Sequence, residues 1–208
     1  EADLPSDGRW RRWYEFFPWE DLRKGPPPAY RDVLGRLEYW KPGDERAATA
    51  FGAGDLPWDE ERALERYEIL YEANLTPENR ADRGLPPVHA DALAPGRAMA
   101  ADHRRVLASA ISRLRAKIKY RPVLFELMPP AFTLTELQKT AEALSGVALH
   151  KQNFRRLVAS RGLVEETGAV AMGTGGRPAK LMRFRPEVML ERPGPGVRVG
   201  ATGRGGYP

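Results

Sequence analysis

Residues 132–185, FTLTELQKTAEALSGVALHKQNFRRLVASRGLVEETGAVAMGTGGRPAKLMRFR, decide the fold that we predict for this 208-residue chain. Thr133 and Glu136 have the spacing of a capping box, which begins a first helix. Ser145 and Gly146 end that helix, because glycine adopts the left-handed conformation that helix C-termini favour. A second helix follows, and then a β-hairpin with a glycine-rich, basic tip. This order of elements is typical of a winged helix-turn-helix that docks on DNA.

The second predicted helix, residues 150–160, has an apolar and a polar side. Phe154, Leu157 and Val158 share the apolar side, and we expect them to face the core. The polar side carries groups that read base edges, since Gln and Asn bond adenine bidentately and Arg bonds guanine. Lys151 lies at the helix start, where we expect contact with phosphate. The predicted base-reading residues are Gln152, Asn153, Arg155 and Arg156.

The predicted hairpin has apolar and β-branched runs at residues 163–167 and 179–185, joined by a turn-rich loop at 168–178. Its basic tip is expected to enter a minor groove or to grip phosphate. Two other interpretations of the pattern stay open at this point. In the first, the basic residues are only the solvated face of a small α+β domain. In the second, the winged helix binds protein instead of DNA. The predicted wing contacts are Thr174, Arg177 and Lys180.

Charge divides the chain into an acidic and a basic part. Residues 1–100 carry 14 Lys/Arg and 20 Asp/Glu, a net charge of −6, whereas residues 117–185 carry 12 and 5, a net charge of +7. This distribution predicts that polyanion binding belongs to the C-terminal part. The chain has no cysteine, which excludes disulfides, thiolate catalysis and cysteine zinc ligands. Its three histidines are too scattered to predict a metal site.

The overall composition is that of a protein with a core, since 42% of the residues are hydrophobic. No apolar run approaches the ~18 residues of a membrane span, and no signal peptide is visible. We therefore expect no membrane contact and a cytoplasmic protein that associates with the nucleoid through DNA. The chain begins at Glu1 and not at Met, so we expect further sequence upstream.

The N-terminal part is predicted to be aromatic and helical. Residues 10–19 hold three Trp, one Tyr and two Phe, which predicts a core or a domain interface, with a base-stacking surface as the alternative. Helices are predicted at 30–40, 58–75 and 98–117. A polar, proline-rich linker is predicted at 76–87.

Many charged residues of these helices are predicted to lie on solvated faces. We interpret Glu65, Glu68 and Glu72 in this way and not as a metal site. His103 is expected to be packed or capping, beside an apolar stripe that includes Val106. The arginines predicted to be exposed are Arg62, Arg66, Arg104, Arg105, Arg113 and Arg115.

Six segments of the chain resemble one family. These are DHRRVLASAISRLRAKIKYRPVLFELMPPAFTLTELQ at 102–138, LHKQNFRRLV at 149–158, GLVEETG at 162–168, GGRPAKLMRFR at 175–185, WRRWYEFFPWED at 10–21 and WDEERALERYEILYEA at 58–73. They resemble the C-terminal part of Nudix-related transcriptional regulators of NAD metabolism, and the last two are similar to the alphaproteobacterial branch. The resemblance implies a Nudix-like domain that senses a nucleotide metabolite and a C-terminal winged helix that binds operator DNA as a homodimer.

The chain departs from the resemblance in two respects. It lacks the Nudix box, the glutamate pattern that holds Mg²⁺ and pyrophosphate, so we expect no enzyme activity from this chain. His150 stands where relatives have an acidic helix cap, and a neutral imidazole caps less well. We expect no metal and no cofactor. The effector is expected to be an NAD-related nucleotide, and its site stays unassigned.

The combined prediction is a mainly helical α+β fold with a C-terminal winged helix-turn-helix, preceded by a partial Nudix-like, helical region. Residues 1–96 are assigned to the C-terminal part of an effector-sensing domain, 97–120 to a connecting helix, 121–190 to the winged helix domain and 191–208 to a disordered tail. The predicted function is sequence-specific repression of NAD biosynthesis or salvage genes. The alternatives are a Nudix-type pyrophosphohydrolase with an accessory DNA-binding domain and a winged helix that binds protein.

Overall fold

A computed structural model describes residues 9–120, 122–171 and 178–187 of the protein. Helices predominate and a single hairpin is present within these residues, which confirms the predicted mainly helical α+β fold. The helices are α1 (Pro28–Trp40), α2 (Glu45–Phe51), α3 (Ala63–Glu72), α4 (Pro77–Asp82), α5 (His103–Tyr120), α6 (Val123–Glu126), α7 (Leu134–Ser145) and α8 (Lys151–Arg161). The strands are β1 (Val164–Ala171) and β2 (Ala179–Phe184). Short 3-10 turns lie at Trp13–Glu15, Pro18–Glu20, Glu60–Arg62 and Ala90–Ala92.

The first core packs an aromatic segment, residues 10–22, against α1, α2, α3 and α5. Phe17 and Trp19 of this segment are buried with ring centroids 5.9 Å apart, and Phe17 lies 6.2 Å from Tyr67 of α3. The edge-to-face geometry of both pairs is the one that aromatic quadrupoles favour. The predicted core role of the aromatic stretch is confirmed, although Trp10 is exposed.

The second core belongs to the C-terminal part of the chain. It is formed by α6, α7, α8, the hairpin and the last turns of α5. Leu22 of the aromatic segment is also part of it. Because α5 places Ile111 in the first core and Ile118 in the second, one continuous helix joins the two cores.

Three arginines that the sequence places on exposed faces are buried. Arg66, Arg104 and Arg115 are each 2% exposed or less. Glu20, from the aromatic segment, accepts hydrogen bonds from Arg66 Nε and Arg115 Nη1, both at 2.5 Å. Glu78 of α4 lies 3.6 Å from Arg104 Nη1. The prediction was wrong because helical periodicity treats arginine as polar, and the partners of Glu20 lie 46 and 95 residues away in the chain.

These buried arginines also change the orientation predicted for α5. The helix begins at His103, whose side chain is exposed and not packed, and Val106 is 57% exposed. The face toward the cores instead contains Arg104, Ala108 and Arg115. The predicted apolar stripe was therefore wrong at Val106, because the guanidinium groups with their carboxylate partners occupy the buried face.

Two further predictions for the N-terminal part need correction. The linker predicted at 76–87 contains α4, which Thr76 begins by accepting a hydrogen bond from the amide of Asn79 at 3.3 Å. The helix predicted at 58–75 is shorter, since α3 ends at Glu72 and a 3-10 turn precedes it. The solvated face of α3 is confirmed, because its three glutamates pair with surface arginines. These pairs are Glu65–Arg62, Glu68–Arg105 and Glu72–Arg46.

Two predicted parts of the chain, the C-terminal tail and the effector-sensing domain, are not tested by the structure. The tail 191–208 lies outside the described residues. The assignment of residues 1–96 to an effector-sensing domain stays a prediction. Along residues 9–120, 122–171 and 178–187, no helix combines the length and the apolar character needed to cross a membrane.

Candidate nucleic-acid interface

The helix-turn-helix is built by local hydrogen bonds that the sequence pattern indicates. Thr133 and Glu136 form the predicted capping box: Glu136 N donates to Thr133 Oγ1 at 3.2 Å and Thr133 N donates to Glu136 Oε2 at 2.7 Å. Gly146 ends α7 with φ +80°, as predicted. The polar cap and the left-handed glycine therefore set both ends of the first helix.

The turn between α7 and α8 is held by two side chains of α7. Glu142 Oε1 accepts a hydrogen bond from Leu149 N at 2.9 Å, and Gln138 Nε2 donates to Leu149 O at 2.8 Å. Gln138 Nε2 also donates to Glu142 Oε1 at 3.0 Å. Since Leu149 lies two residues before α8, these bonds fix the place where the second helix begins.

Helix α8 has the two sides that its sequence predicts. Phe154 and Val158 are buried in the second core, and Leu157 packs beside them. Gly162 ends the helix with φ +60°. The structure brings all five predicted contact residues of this helix together on its exposed surface. They are Lys151, Gln152, Asn153, Arg155 and Arg156.

The exposed face of α8 carries positive charge, and no carboxylate within the described part of the chain pairs with it. Among the described residues, Lys151, Arg155 and Arg156 form no ion pair with Asp or Glu. Arg156 Nη2 approaches Asn153 Oδ1 at 3.4 Å within the helix. His150, the N-cap, makes no side-chain hydrogen bond to the first turn. The positive end of the helix dipole and Lys151 thus lie together, which favours an anion at this end.

The hairpin is attached to the start of α7. Phe132 and Met182 exchange two backbone hydrogen bonds, at 2.9 and 2.7 Å, and Phe184 stacks on Phe125 with centroids 4.6 Å apart. The strand β1 extends through Gly168 to Ala171, so the loop predicted from residue 168 was wrong at its start. An irregularity between Glu166 and Val170, with Gly168 at φ +83°, lets the ladder continue past the glycine.

Of the three predicted wing contacts, Lys180 lies within the described residues. Lys180 is exposed, and its Nζ lies 2.7 and 2.8 Å from the two carboxylate oxygens of Glu166 on the paired strand. Arg183 pairs in the same way with Glu165. Thr174 and Arg177 lie outside the described residues. These cross-strand pairs are not predicted by the sequence pattern, because the register that places the partners opposite each other is not a local property.

Comparisons with known proteins identify the same region. Residues 124–184 match the family model of the NrtR DNA-binding winged helix domain. Over 86 residues the chain is 45% identical to the ADPR responsive transcriptional repressor NtrR of Acinetobacter baylyi, a match that covers 41% of this chain and 34% of that repressor. The chain thus spans about a third of the length of this curated relative.

Two solved structures are also similar in part. One is Shewanella oneidensis NrtR complexed with a 27mer DNA, with a TM-score of 0.39, 34% identity and coverage of 44% of this chain and 41% of that one. The other is Shewanella oneidensis NrtR, with a TM-score of 0.37, 33% identity and coverage of 52% and 44%.

Proposed function

We propose, from the NrtR-type winged helix domain that residues 124–184 form, that this protein binds specific DNA sequences and represses transcription. The related repressor of Acinetobacter baylyi is named for its response to ADPR, which supports a nucleotide metabolite as the effector. Control of NAD biosynthesis or salvage genes follows from the family resemblance. In this proposal the protein acts in the cytoplasm. It binds a two-fold operator as a homodimer, because a helix-turn-helix that reads a palindrome needs two copies.

The observation that carries this proposal is the exposed face of α8. Its buried side is anchored in the second core by Phe154 and Val158, so the opposite side faces solvent. Gln152 and Asn153 offer bidentate contacts to adenine, and the arginines offer them to guanine, each good contact giving ~1–3 kcal/mol of discrimination. Lys151 and Arg177 take phosphate contacts that set the register. The base-reading arginines are Arg155 and Arg156.

Repression is favoured over catalysis as the activity of this protein. The curated relative is a transcriptional repressor. The glutamate pattern of Nudix hydrolases does not occur in this chain. A hydrolase activity of the protein would require such a pattern outside these 208 residues, and Mg²⁺-dependent release of phosphate or nucleoside monophosphate would reveal it.

The decisive experiment is selection of bound duplexes from a randomised DNA pool, followed by titration of the selected duplex against salt. We expect an enriched palindrome. The double substitution Arg155→Ala/Arg156→Ala should lower affinity for it by about 30-fold or more, since two bidentate contacts of ~1–3 kcal/mol each are lost. Cooperative melting should be unchanged, because both side chains point away from the core.

The matched control is Lys24→Ala/Arg31→Ala, which removes the same charge from two exposed positions, one before α1 and one within it. It should change affinity only slightly. An equal loss in control and test variants would mean that binding is purely electrostatic. Selection without any enriched sequence would contradict DNA recognition and favour a protein partner.

The cross-strand pair of Lys180 gives a second prediction. Glu166→Gln removes the carboxylate that holds Lys180 Nζ, and we expect the freed ammonium group to contact a DNA phosphate. Affinity at low salt should rise severalfold, and the slope of log affinity against log salt should steepen by up to about one. The control is Glu68→Gln, which frees Arg105 on the exposed surface of α5, away from the hairpin. An unchanged affinity and slope would show that release of Lys180 from Glu166 adds no phosphate contact.

A further inference from the structure

The C-terminal end of α7 is capped by side chains from outside the winged helix. The last carbonyls of an α-helix have no partner within the helix and need other donors. Tyr14 Oη, from the aromatic segment, donates to Ala143 O at 2.8 Å. Arg115 Nε, from α5, donates to Leu144 O at 3.0 Å. The positive guanidinium group also lies where the helix dipole favours a cation.

The aromatic segment approaches the turn after α7 at backbone contact distance. Leu22 N donates to Gly146 O at 2.7 Å. An added Cβ at Gly146 would lie 2.2 Å from the backbone oxygen of Glu20, so only glycine permits this approach. Leu22 itself is 6% exposed and packs in the second core. Residues of the N-terminal part therefore cover the start of the turn that precedes α8.

Arg115 connects this cap to the first core. Its Nη1 donates to Glu20 Oε2 at 2.5 Å and to Glu60 O at 3.0 Å. Glu20 is held in turn by Arg66, whose Nη1 donates to Ala50 O at 2.6 Å. The end of α7 is thus linked through one buried carboxylate to helices α2 and α3.

We propose that Tyr14, Glu20 and Arg115 are positioning residues for DNA recognition, which hold the end of α7, and with it α8, at a fixed place relative to the first core. The position of α8 depends on that of α7, because Glu142 and Gln138 of α7 bind the backbone of Leu149 just before α8. Two recognition helices must meet half-sites about one helical turn apart, so their placement relative to the rest of the protein decides whether both fit. The proposal rests on the proposed function and adds residues that touch no DNA.

The test uses the full chain with Tyr14→Phe, which removes one hydroxyl and keeps the ring. Tyr39→Phe is the matched control, since Tyr39 is 92% exposed. We expect amide hydrogens of residues 143–149 to exchange at least tenfold faster in Tyr14→Phe. Affinity for the selected two-half-site duplex should fall at least fivefold, while affinity for an unrelated duplex stays the same because the exposed cations are unchanged. Both affinities are measured well below the melting temperature, with folding checked by circular dichroism.

A second variant, Arg115→Lys, keeps the charge but removes the Nε donor to Leu144 O, and it should reproduce the selective loss. Equal loss of specific and non-specific affinity, or full specific affinity despite faster exchange, would overturn the positioning role. If the unaltered protein selects no duplex, the proposed function fails and the positioning proposal fails with it. If it selects a duplex that Tyr14→Phe binds equally well, only the positioning proposal fails.

Discussion

Glu20→Ala is expected to lower the free energy of unfolding by about 3–5 kcal/mol, the cost of leaving a buried ion pair without one partner. The substitution leaves two guanidinium groups, those of Arg66 and Arg115, buried without their carboxylate. Chemical denaturation followed by circular dichroism measures this loss. The control is Glu68→Ala, which breaks the surface pair with Arg105 and should cost at most about 1 kcal/mol. Equal effects of the two substitutions would contradict the central role of Glu20.

The same residue predicts a pH dependence. Burial alone would raise the pKa of the Glu20 carboxyl, but the guanidinium groups of Arg66 and Arg115 outweigh burial and hold the pKa below its ordinary value of 4.5. A carboxyl whose pKa is lowered by folding stabilises the folded state fully at pH values above its unfolded pKa. This stabilisation is lost as the pH falls through the folded pKa. The stability difference between the wild type and Glu20→Ala should therefore be constant near neutral pH and shrink below about pH 4.5. A difference that persists unchanged into acid would show that the carboxylate charge is not what stabilises the cluster.

Gly146→Ala is the second substitution with a large expected effect, about 2–5 kcal/mol. A left-handed residue with a side chain costs roughly 1–2 kcal/mol, and forcing atoms into a packed site costs about 1–3 kcal/mol more. At Gly146 the φ angle is +80°, and the added methyl group would lie 2.2 Å from Glu20 O and 3.0 Å from Arg115 Nη2. The oxygen belongs to the backbone, so the aromatic segment itself must move away.

Gly162→Ala provides a matched control for this prediction. Gly162 also ends a helix in the left-handed conformation, with φ +60°, but the nearest atom to an added Cβ is the end of the Arg185 side chain at 3.4 Å. We expect only the conformational cost of about 1–2 kcal/mol there. Thermal and denaturant unfolding of both variants separates the two contributions. Equal losses of unfolding free energy would mean that steric contact with the Glu20 backbone oxygen adds nothing to the cost at residue 146.

The winged helix could be predicted because its signals are local. The capping box joins Thr133 to Glu136, and the apolar side of α8 joins Phe154 to Val158, so each signal spans no more than one helical turn. The exposure of the predicted contact residues follows from the same periodicity. The hairpin was found, but the length of β1 was not, because strand pairing depends on a register set across the loop.

The sequence by itself therefore determined the helix-turn-helix, the hairpin and the exposed basic face of α8. Only the tertiary structure decided which charges are buried and what holds α8 in place. Arg115 is buried because Glu20, 95 residues away, and the carbonyl of Leu144 at the end of α7 both reach it. Burial of a charge is tolerated only where a partner and hydrogen bonds compensate for lost water, and those partners are brought together by packing of the two cores.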